Sequence, residues 1–114
     1  MRRPVVWVAA VLVAALMSVP GTAEAHYVGS TGTVNGYPCG GSLPPCYVLY
    51  RESRGNPTAQ NPRSSASGLW QFVHGTWNHY KGYNEAKYAP WQVQNEKARW
   101  LWAGGRGCAH WRAC

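Results

Sequence analysis

Carboxylates are scarce in this sequence, which contains no aspartate and only four glutamates. One of them, Glu24, lies in a predicted export signal, so the acidic side chains left for chemistry are Glu52, Glu85 and Glu96. Glu85 and Glu96 have polar, exposed-looking surroundings in the sequence. A catalytic carboxyl group, if there is one, must therefore lie at one of these three positions.

Apolar runs long enough to cross a membrane are also lacking. Residues 1–3 form a short positive region, residues 5–17 are almost entirely apolar, and residues 23–25 have the small-x-small form that a signal peptidase requires. The run is too short for a bilayer core of about 30 Å, and no stop-transfer segment follows. We predict a signal peptide over 1–25, cleaved after Ala25, and a secreted or cell-wall protein without stable membrane insertion. An uncleaved N-terminal anchor is the alternative.

No Cys-x-x-Cys pair is present among the four cysteines, which are Cys39, Cys46, Cys108 and Cys114. Export favours disulfides, and four cysteines allow three pairings that the sequence does not distinguish. Two early and two late positions suggest bridges that tie the N-terminal segment to the C-terminal tail. A zinc site with Cys108, His110, Cys114 and an early cysteine is the alternative, which the oxidising compartment and the missing motif argue against. We expect no metal and no cofactor.

The predicted mature chain is small and basic. Its 89 residues suffice for one domain, which buries only about 60–65% of its unfolded surface. Nine Lys and Arg face three Glu, a net charge of +6. The basic residues are scattered rather than clustered, so we expect no nucleic acid partner. Because an exported basic protein meets anionic cell-wall polymers, we expect those as partners of a monomer.

The pattern of the chain predicts a mainly α domain over 45–114, preceded by a flexible leader over 26–44 that Cys39 holds near its end. Strand signals are almost absent, and Gly68–Phe72 is read as a short strand or a turn. Prolines, glycines and a possible N-cap at Thr76 predict helices over Cys46–Ser53, 76–80 and 91–103. The residues between the first two helices, 56–67, have loop composition, and a loop of this length in a small domain often carries function.

Glu52 falls in the last turn of the first predicted helix, one turn after Val48 and Leu49. A carboxylate at a helix C-terminus faces the negative end of the dipole, and partial burial also favours its protonated form. Both effects predict a raised pKa, suited to a general acid. The residues alone favour the alternative, a surface glutamate paired with Arg51 or Arg54, since such pairs are common.

A resemblance favours the first interpretation. Residues 52–57 (Glu-Ser-Arg-Gly-Asn-Pro), 66–72 (Ala-Ser-Gly-Leu-Trp-Gln-Phe) and Thr76-Trp77 occur in the order found in lysozyme-like lytic transglycosylases. The set resembles both the soluble lytic transglycosylase domain and the resuscitation-promoting factors of actinobacteria. The ending Trp111–Cys114 is similar to the Trp-Pro-Val-Cys ending of the latter. The likeness covers about residues 45–114, which is most of the predicted mature chain.

The resemblance implies a small lysozyme-like α fold, stapled by disulfides, with a groove for peptidoglycan glycan strands. It implies cleavage of the MurNAc-GlcNAc β-1,4 bond by a single catalytic Glu52, as a lytic transglycosylase or a muramidase. Ser53 would position the adjoining loop, and Gln71 and Asn61 would bind sugar near the bond. The aromatic groove candidates, each also a candidate for the core, are Trp70, Trp77 and Tyr80.

Two departures concern the subfamily rather than the reaction. Residues 102–105 (Trp-Ala-Gly-Gly) stand where the soluble family has Tyr-Asn-Ala-Gly, so a supporting tyrosine has no direct counterpart. Arg51 stands where the resuscitation-promoting factors have a cysteine. Two other functions remain open: a catalytically weak peptidoglycan-binding module, and a secreted protein that interacts with other proteins or membranes.

Overall fold

The computed structural model describes residues 31–114. The predicted signal peptide and the first residues of the leader lie outside the described residues. The regular elements are two strands, β1 and β2, three α-helices, α1 to α3, and three short 3₁₀ segments. Their bounds in chain order are β1 Gly32–Val34, β2 Tyr37–Cys39, α1 Cys46–Ser53, α2 His74–Trp77, 3₁₀ Tyr80–Gly82, 3₁₀ Ala86–Tyr88, α3 Trp91–Trp102 and 3₁₀ Ala103–His110. The predicted mainly α fold is confirmed.

The two strands form an antiparallel hairpin with Gly32 opposite Cys39. Its turn is Asn35-Gly36, and both residues have positive φ (53° and 84°), as a type I′ hairpin turn requires. The Asn35 side chain donates to the Gly55 carbonyl oxygen at 2.9 Å, so the hairpin is attached to the chain just after α1. The segment predicted as a flexible leader therefore contains a strand pair that was not predicted. The low strand propensity was overridden by the turn and by packing against the domain.

Helix α1 begins directly after Pro45 and ends at Ser53, because the next residue, Arg54, adopts the left-handed conformation (φ 56°). Its buried side chains are Cys46, Val48 and Leu49, which anchor one face in the core. The bounds agree with the prediction, because a proline disfavours helical backbone before it and a left-handed residue ends the hydrogen-bond ladder.

Both disulfides are local. Cys39 is bonded to Cys46 and Cys108 to Cys114, with Cα–Cα distances of 4.9 and 5.4 Å. The expected bridges between the N-terminal segment and the C-terminal tail are absent from residues 31–114, in which every cysteine is paired. The hairpin returns the chain to the start of α1, which brings the two early cysteines together. The zinc alternative loses Cys108 and Cys114 as thiolates for the same reason.

Helix α2 differs from the prediction. It begins at His74 after the extended Val73 and ends at Trp77, so Thr76 is inside it rather than its N-cap. The Trp77 amide donates to the Val73 carbonyl at 2.8 Å, which closes the single turn. Helix α3 begins after Pro90 as predicted, and ends one residue early because Ala103 adopts the left-handed conformation.

The core is aromatic at its centre. Trp70 and Trp77 are fully buried, and Trp111 is 3% exposed. The Trp111 indole donates to the Trp70 carbonyl at 2.9 Å, and the Phe72 ring lies 5.4 Å from that of Trp77. In the part of the chain from residue 31 onward, no helix has the length and apolar character needed to cross a membrane.

Candidate active site

Glu52 is half-buried at the end of α1. Helical spacing places it above Val48 and Leu49, which are both fully buried. Across residues 31–114, its carboxylate has neither a hydrogen bond nor an ion pair. Burial raises the pKa of Glu52 above its ordinary value of 4.5, and desolvation is the cause. An unpaired carboxyl group that retains its proton more readily than usual is suited to donate one.

The two neighbouring arginines do not neutralise Glu52. The Arg51 guanidinium lies over the Tyr47 ring at 5.5 Å, and that of Arg54 lies over the Tyr50 ring at 4.9 Å. Both are contacts between residues four apart, which share a helix face. Since residues one or two positions apart do not face each other, the interpretation of Glu52 as a salt-bridged surface residue is not supported.

Ser53 joins α1 to the segment that carries Gln71. Its hydroxyl donates to the Leu69 carbonyl oxygen at 2.7 Å. The Ser53 hydroxyl oxygen in turn accepts from the backbone amides of Gly55 and Asn56, at 3.1 and 3.3 Å. Because these contacts use the hydroxyl within the protein, Ser53 organises the site rather than presenting a free group to a ligand.

Residues 68–72 form a turn, closed by paired hydrogen bonds between Ser67 and Phe72. Gln71 adopts the left-handed conformation there (φ 53°), which is unusual for a residue with a Cβ. Its side-chain amide donates to the carbonyl oxygens of Gly68 at 3.0 Å and Ala59 at 3.4 Å. Within the described part of the chain, the side-chain oxygen of Gln71 has no donor and remains available to one.

Gln94, on α3, is a supporting residue that the sequence analysis did not identify. It is fully buried, and its oxygen accepts from the Leu69 amide at 2.7 Å. Its nitrogen donates to the carbonyls of Pro57 at 3.0 Å and Ala89 at 2.9 Å. One side chain therefore holds the loop after Glu52 and the turn that carries Gln71. The available signal was its spacing, since Gln94 falls three residues after Trp91 and four before Ala98, on the same face of α3 as these apolar residues.

Asn61 has a local role in the loop. Its side-chain oxygen accepts from the Arg63 amide at 2.8 Å, and its own amide donates to the Ala66 carbonyl at 2.9 Å. The structure records no contact between Asn61 and Glu52, so its predicted contact with sugar stays a prediction.

Of the three aromatic groove candidates, two belong to the core. Trp70 and Trp77 are fully buried, and their indole nitrogens donate to Asn95 Oδ1 and the Tyr83 carbonyl, each at 2.7 Å. Their placement in the groove is therefore corrected, because neither ring has a face left for a ligand. Tyr80 is half-buried at the edge of this cluster, 5.5 Å from the Trp77 ring.

The arrangement has the features of an enzyme site: one desolvated glutamate at a helix end, joined through Ser53 and Gln94 to the turn that carries Gln71. Residues 46–102 match the family model of the transglycosylase SLT domain, and this chain belongs to that family. The matched span contains Glu52, Ser53, Gln71 and Gln94. The predicted membership of the lysozyme-like lytic transglycosylases is thereby confirmed.

Similar curated proteins carry a related name. The chain is 42% identical over 69 residues to the probable transglycosylase SceD of Staphylococcus aureus strain Newman, covering 56% of this chain and 29% of that protein. Proteins of the same name from strains Mu3 and USA300 match with the same figures. The chain thus spans under a third of the length of these relatives. No solved structure gave a significant match.

Proposed function

We propose that this protein is a secreted peptidoglycan-cleaving enzyme that cuts the MurNAc-GlcNAc β-1,4 bond with Glu52 as its only catalytic carboxylate. The observation that carries the proposal is Glu52 itself, half-buried and unpaired within residues 31–114, with a pKa raised by desolvation. Membership of the transglycosylase SLT family supplies the class of reaction. The name of the staphylococcal relatives agrees with that class.

Proton transfer by Glu52 accounts for both halves of the reaction. The protonated carboxyl gives its proton to the glycosidic oxygen as the bond to the anomeric carbon breaks, which leaves a carboxylate. That carboxylate then takes a proton from the nucleophile, which restores the acid. The muramyl C6 hydroxyl as nucleophile yields a 1,6-anhydro product, and water yields a reducing end.

A second carboxylate is not needed in this scheme. Glu85 lies 3.5 Å from His74 and 3.9 Å from Lys87, and Glu96 lies 2.8 Å from Lys81. Both are therefore engaged in ion pairs with other residues. The acetamido group of the substrate would stabilise the positive charge that develops at the anomeric carbon, which a second carboxylate does in most glycosidases.

Gln71 would bind sugar beside the cleaved bond, because its side-chain oxygen is available while its amide is held in place. Ser53 would act by positioning, as its hydrogen bond to Leu69 suggests. Asn61 is a weaker candidate for the same sugar contacts. The signal peptide over 1–25, a cell-wall location, a monomeric state and anionic wall polymers as partners belong to this proposal, as does likeness to the resuscitation-promoting factors.

The decisive experiment is mass spectrometry of purified peptidoglycan after incubation with the oxidised protein. Anhydro-muropeptides would establish a lytic transglycosylase, and reducing ends alone a muramidase. Glu52→Gln should abolish either product, whereas Glu85→Gln, a matched change at another half-buried glutamate, should not. If the folded wild type gives no product from any peptidoglycan preparation, the cleavage proposal fails and a wall-binding module becomes the better description.

A further inference from the structure

Helix α3 carries a lysine that has no anionic partner and lies close to two aromatic rings. Lys97 is only 8% exposed, and its ammonium lies 5.0 Å from the ring centroids of both Tyr80 and Trp100. Throughout residues 31–114 it has no hydrogen bond and no ion pair. Burial lowers the pKa of Lys97, in keeping with a poorly solvated ammonium. Cation–π contacts offset part of that desolvation but leave its N–H donors without an acceptor.

One of the two rings is open to solvent. Trp100 is 70% exposed, the largest exposed fraction among the large apolar side chains in the described chain. A tryptophan in that position packs little against the core and offers a flat apolar face to a ligand. An exposed aromatic face beside an unpaired cation suits a sugar that carries a negative charge.

The adjacent acidic residue does not cancel this cation. Glu96 accepts hydrogen bonds from the Tyr80 hydroxyl at 3.0 Å and is paired with Lys81 at 2.8 Å. These contacts hold the Tyr80 ring against Lys97. Arg99 also lowers the pKa of Glu96, so two cations, Lys81 and Arg99, act on this single carboxylate. Together with Lys97 they leave the local charge positive.

We propose that Tyr80, Lys97 and Trp100 form a second binding site for the glycan strand, in which Trp100 stacks on a sugar ring and Lys97 binds a carboxylate. This inference rests on the proposed function for the identity of the strand. Peptidoglycan carries such carboxylates on its peptide stems, and on lactyl groups that have lost their stems. The Tyr80 ring is connected through Trp77 to Phe72, the neighbour of Gln71, so the site is continuous with the aromatic cluster behind the candidate active site.

The test is a binding measurement that needs no cleavage. Co-sedimentation of the Glu52→Gln protein with purified peptidoglycan, stripped of attached phosphodiester polymers, gives an affinity for the wall. Adding Trp100→Ala or Lys97→Met should weaken that affinity about fivefold each, the size expected for one stacking or cation contact. Lys97→Met keeps the apolar stem and removes only the charge. Increasing salt should weaken the wild-type interaction and have less effect on Lys97→Met.

Two matched controls define specificity. Tyr88→Ala removes another exposed ring, and Arg106→Met removes another exposed cation; neither should change the affinity. Equal losses in the controls would show unspecific adhesion and overturn the proposal. So would unchanged affinity in the folded Trp100→Ala and Lys97→Met proteins.

Two other outcomes would also refute it. A dependence on Trp100 seen only with walls that retain phosphodiester polymers would identify the polymer as the ligand. A Trp100→Ala change that turns a dimer into a monomer, without loss of wall binding, would show that a second copy covers the ring. Failure of cleavage by the wild type would speak against the proposed function alone, since this assay measures binding.

Discussion

The Ser53 hydroxyl donates to the Leu69 carbonyl oxygen at 2.7 Å, across sixteen positions of sequence. Ser53 follows Glu52 directly, and Leu69 lies two residues before Gln71. This hydrogen bond therefore helps to set the separation between the proposed acid, Glu52, and the proposed sugar-binding residue, Gln71. Gln94 supports the same turn from the opposite side through the Leu69 amide.

Ser53→Ala should destabilise the fold and reduce the rate of cleavage. Removal of a half-buried hydroxyl with three partners is expected to cost about 1–2 kcal/mol in the free energy of unfolding. Urea unfolding measures that loss. Ser64→Ala, which removes an exposed hydroxyl bonded only to the Ala66 amide, should cost much less. Equal losses in the two variants would contradict the role given to Ser53.

Glu52→Gln should stabilise the protein at neutral and alkaline pH. The folded state raises the pKa of Glu52 above 4.5, because the ionised form is poorly solvated. The stabilisation from its protonated form is complete below the unfolded pKa and is lost as the pH rises through the folded pKa. The advantage of the glutamine variant should therefore grow between pH 4 and pH 8 in thermal unfolding. A difference independent of pH would argue against an elevated pKa and against the acid role.

Gln94→Ala should lower both the stability of the fold and the rate of cleavage. It leaves two buried backbone groups and one part-buried group without this partner, at a cost of about 3 kcal/mol. Activity should fall further than the folded fraction does, because Leu69 and Pro57 lose their common support. Gln92→Ala, two positions earlier on an exposed part of α3, is the matched control and should change neither quantity. Stability is read from denaturant unfolding, and activity from release of muropeptides.

Gly68→Ala should destabilise the turn that carries Gln71. Gly68 has φ +83°, and a Cβ there would lie 2.5 Å from the Gln94 side-chain oxygen. Left-handed backbone alone costs roughly 1–2 kcal/mol for a residue with a Cβ, and the clash adds to it. Gly75→Ala, in open space within α2, should be neutral or stabilising by about 0.5 kcal/mol. In thermal unfolding, the melting temperature of Gly68→Ala should fall clearly, whereas that of Gly75→Ala should stay unchanged or rise slightly.

Removal of either disulfide should lower the free energy of unfolding by about 2.5 kcal/mol. This is the loop-closure value for bridges whose cysteines are seven and six residues apart in the sequence. Paired Cys→Ala changes, followed by urea unfolding, measure this. Peptide mapping without reduction should recover Cys39 linked to Cys46 and Cys108 linked to Cys114. A cross-link between an early and a late cysteine would contradict the local pairing.

Several features could be read from the chain because local backbone chemistry determines them. Pro45 and Pro90 precede the starts of α1 and α3, and left-handed residues close both helices near the predicted positions. The hairpin signal was also present, since Asn35-Gly36 is a strong type I′ turn, but few β-branched residues flank it. The motif around Glu52 indicated the family from the order of its residues alone.

Other features depended on which segments meet in space. Whether Trp70 and Trp77 face a groove or the core, and which cysteines pair, depends on contacts that a one-dimensional pattern does not contain. Gln94 is an example. Its position among the apolar residues of α3 does not reveal a supporting role, which becomes evident only because the Leu69 amide and the Pro57 carbonyl lie beside it.

The sequence by itself determined the main helices, the family and the choice of Glu52, because proline, glycine and ordered motifs act through neighbouring residues. Only the tertiary structure decided that Glu52 is desolvated and not paired with the arginines beside it, and which residues support its site. Desolvation and buried hydrogen bonds arise only when distant segments exclude water together.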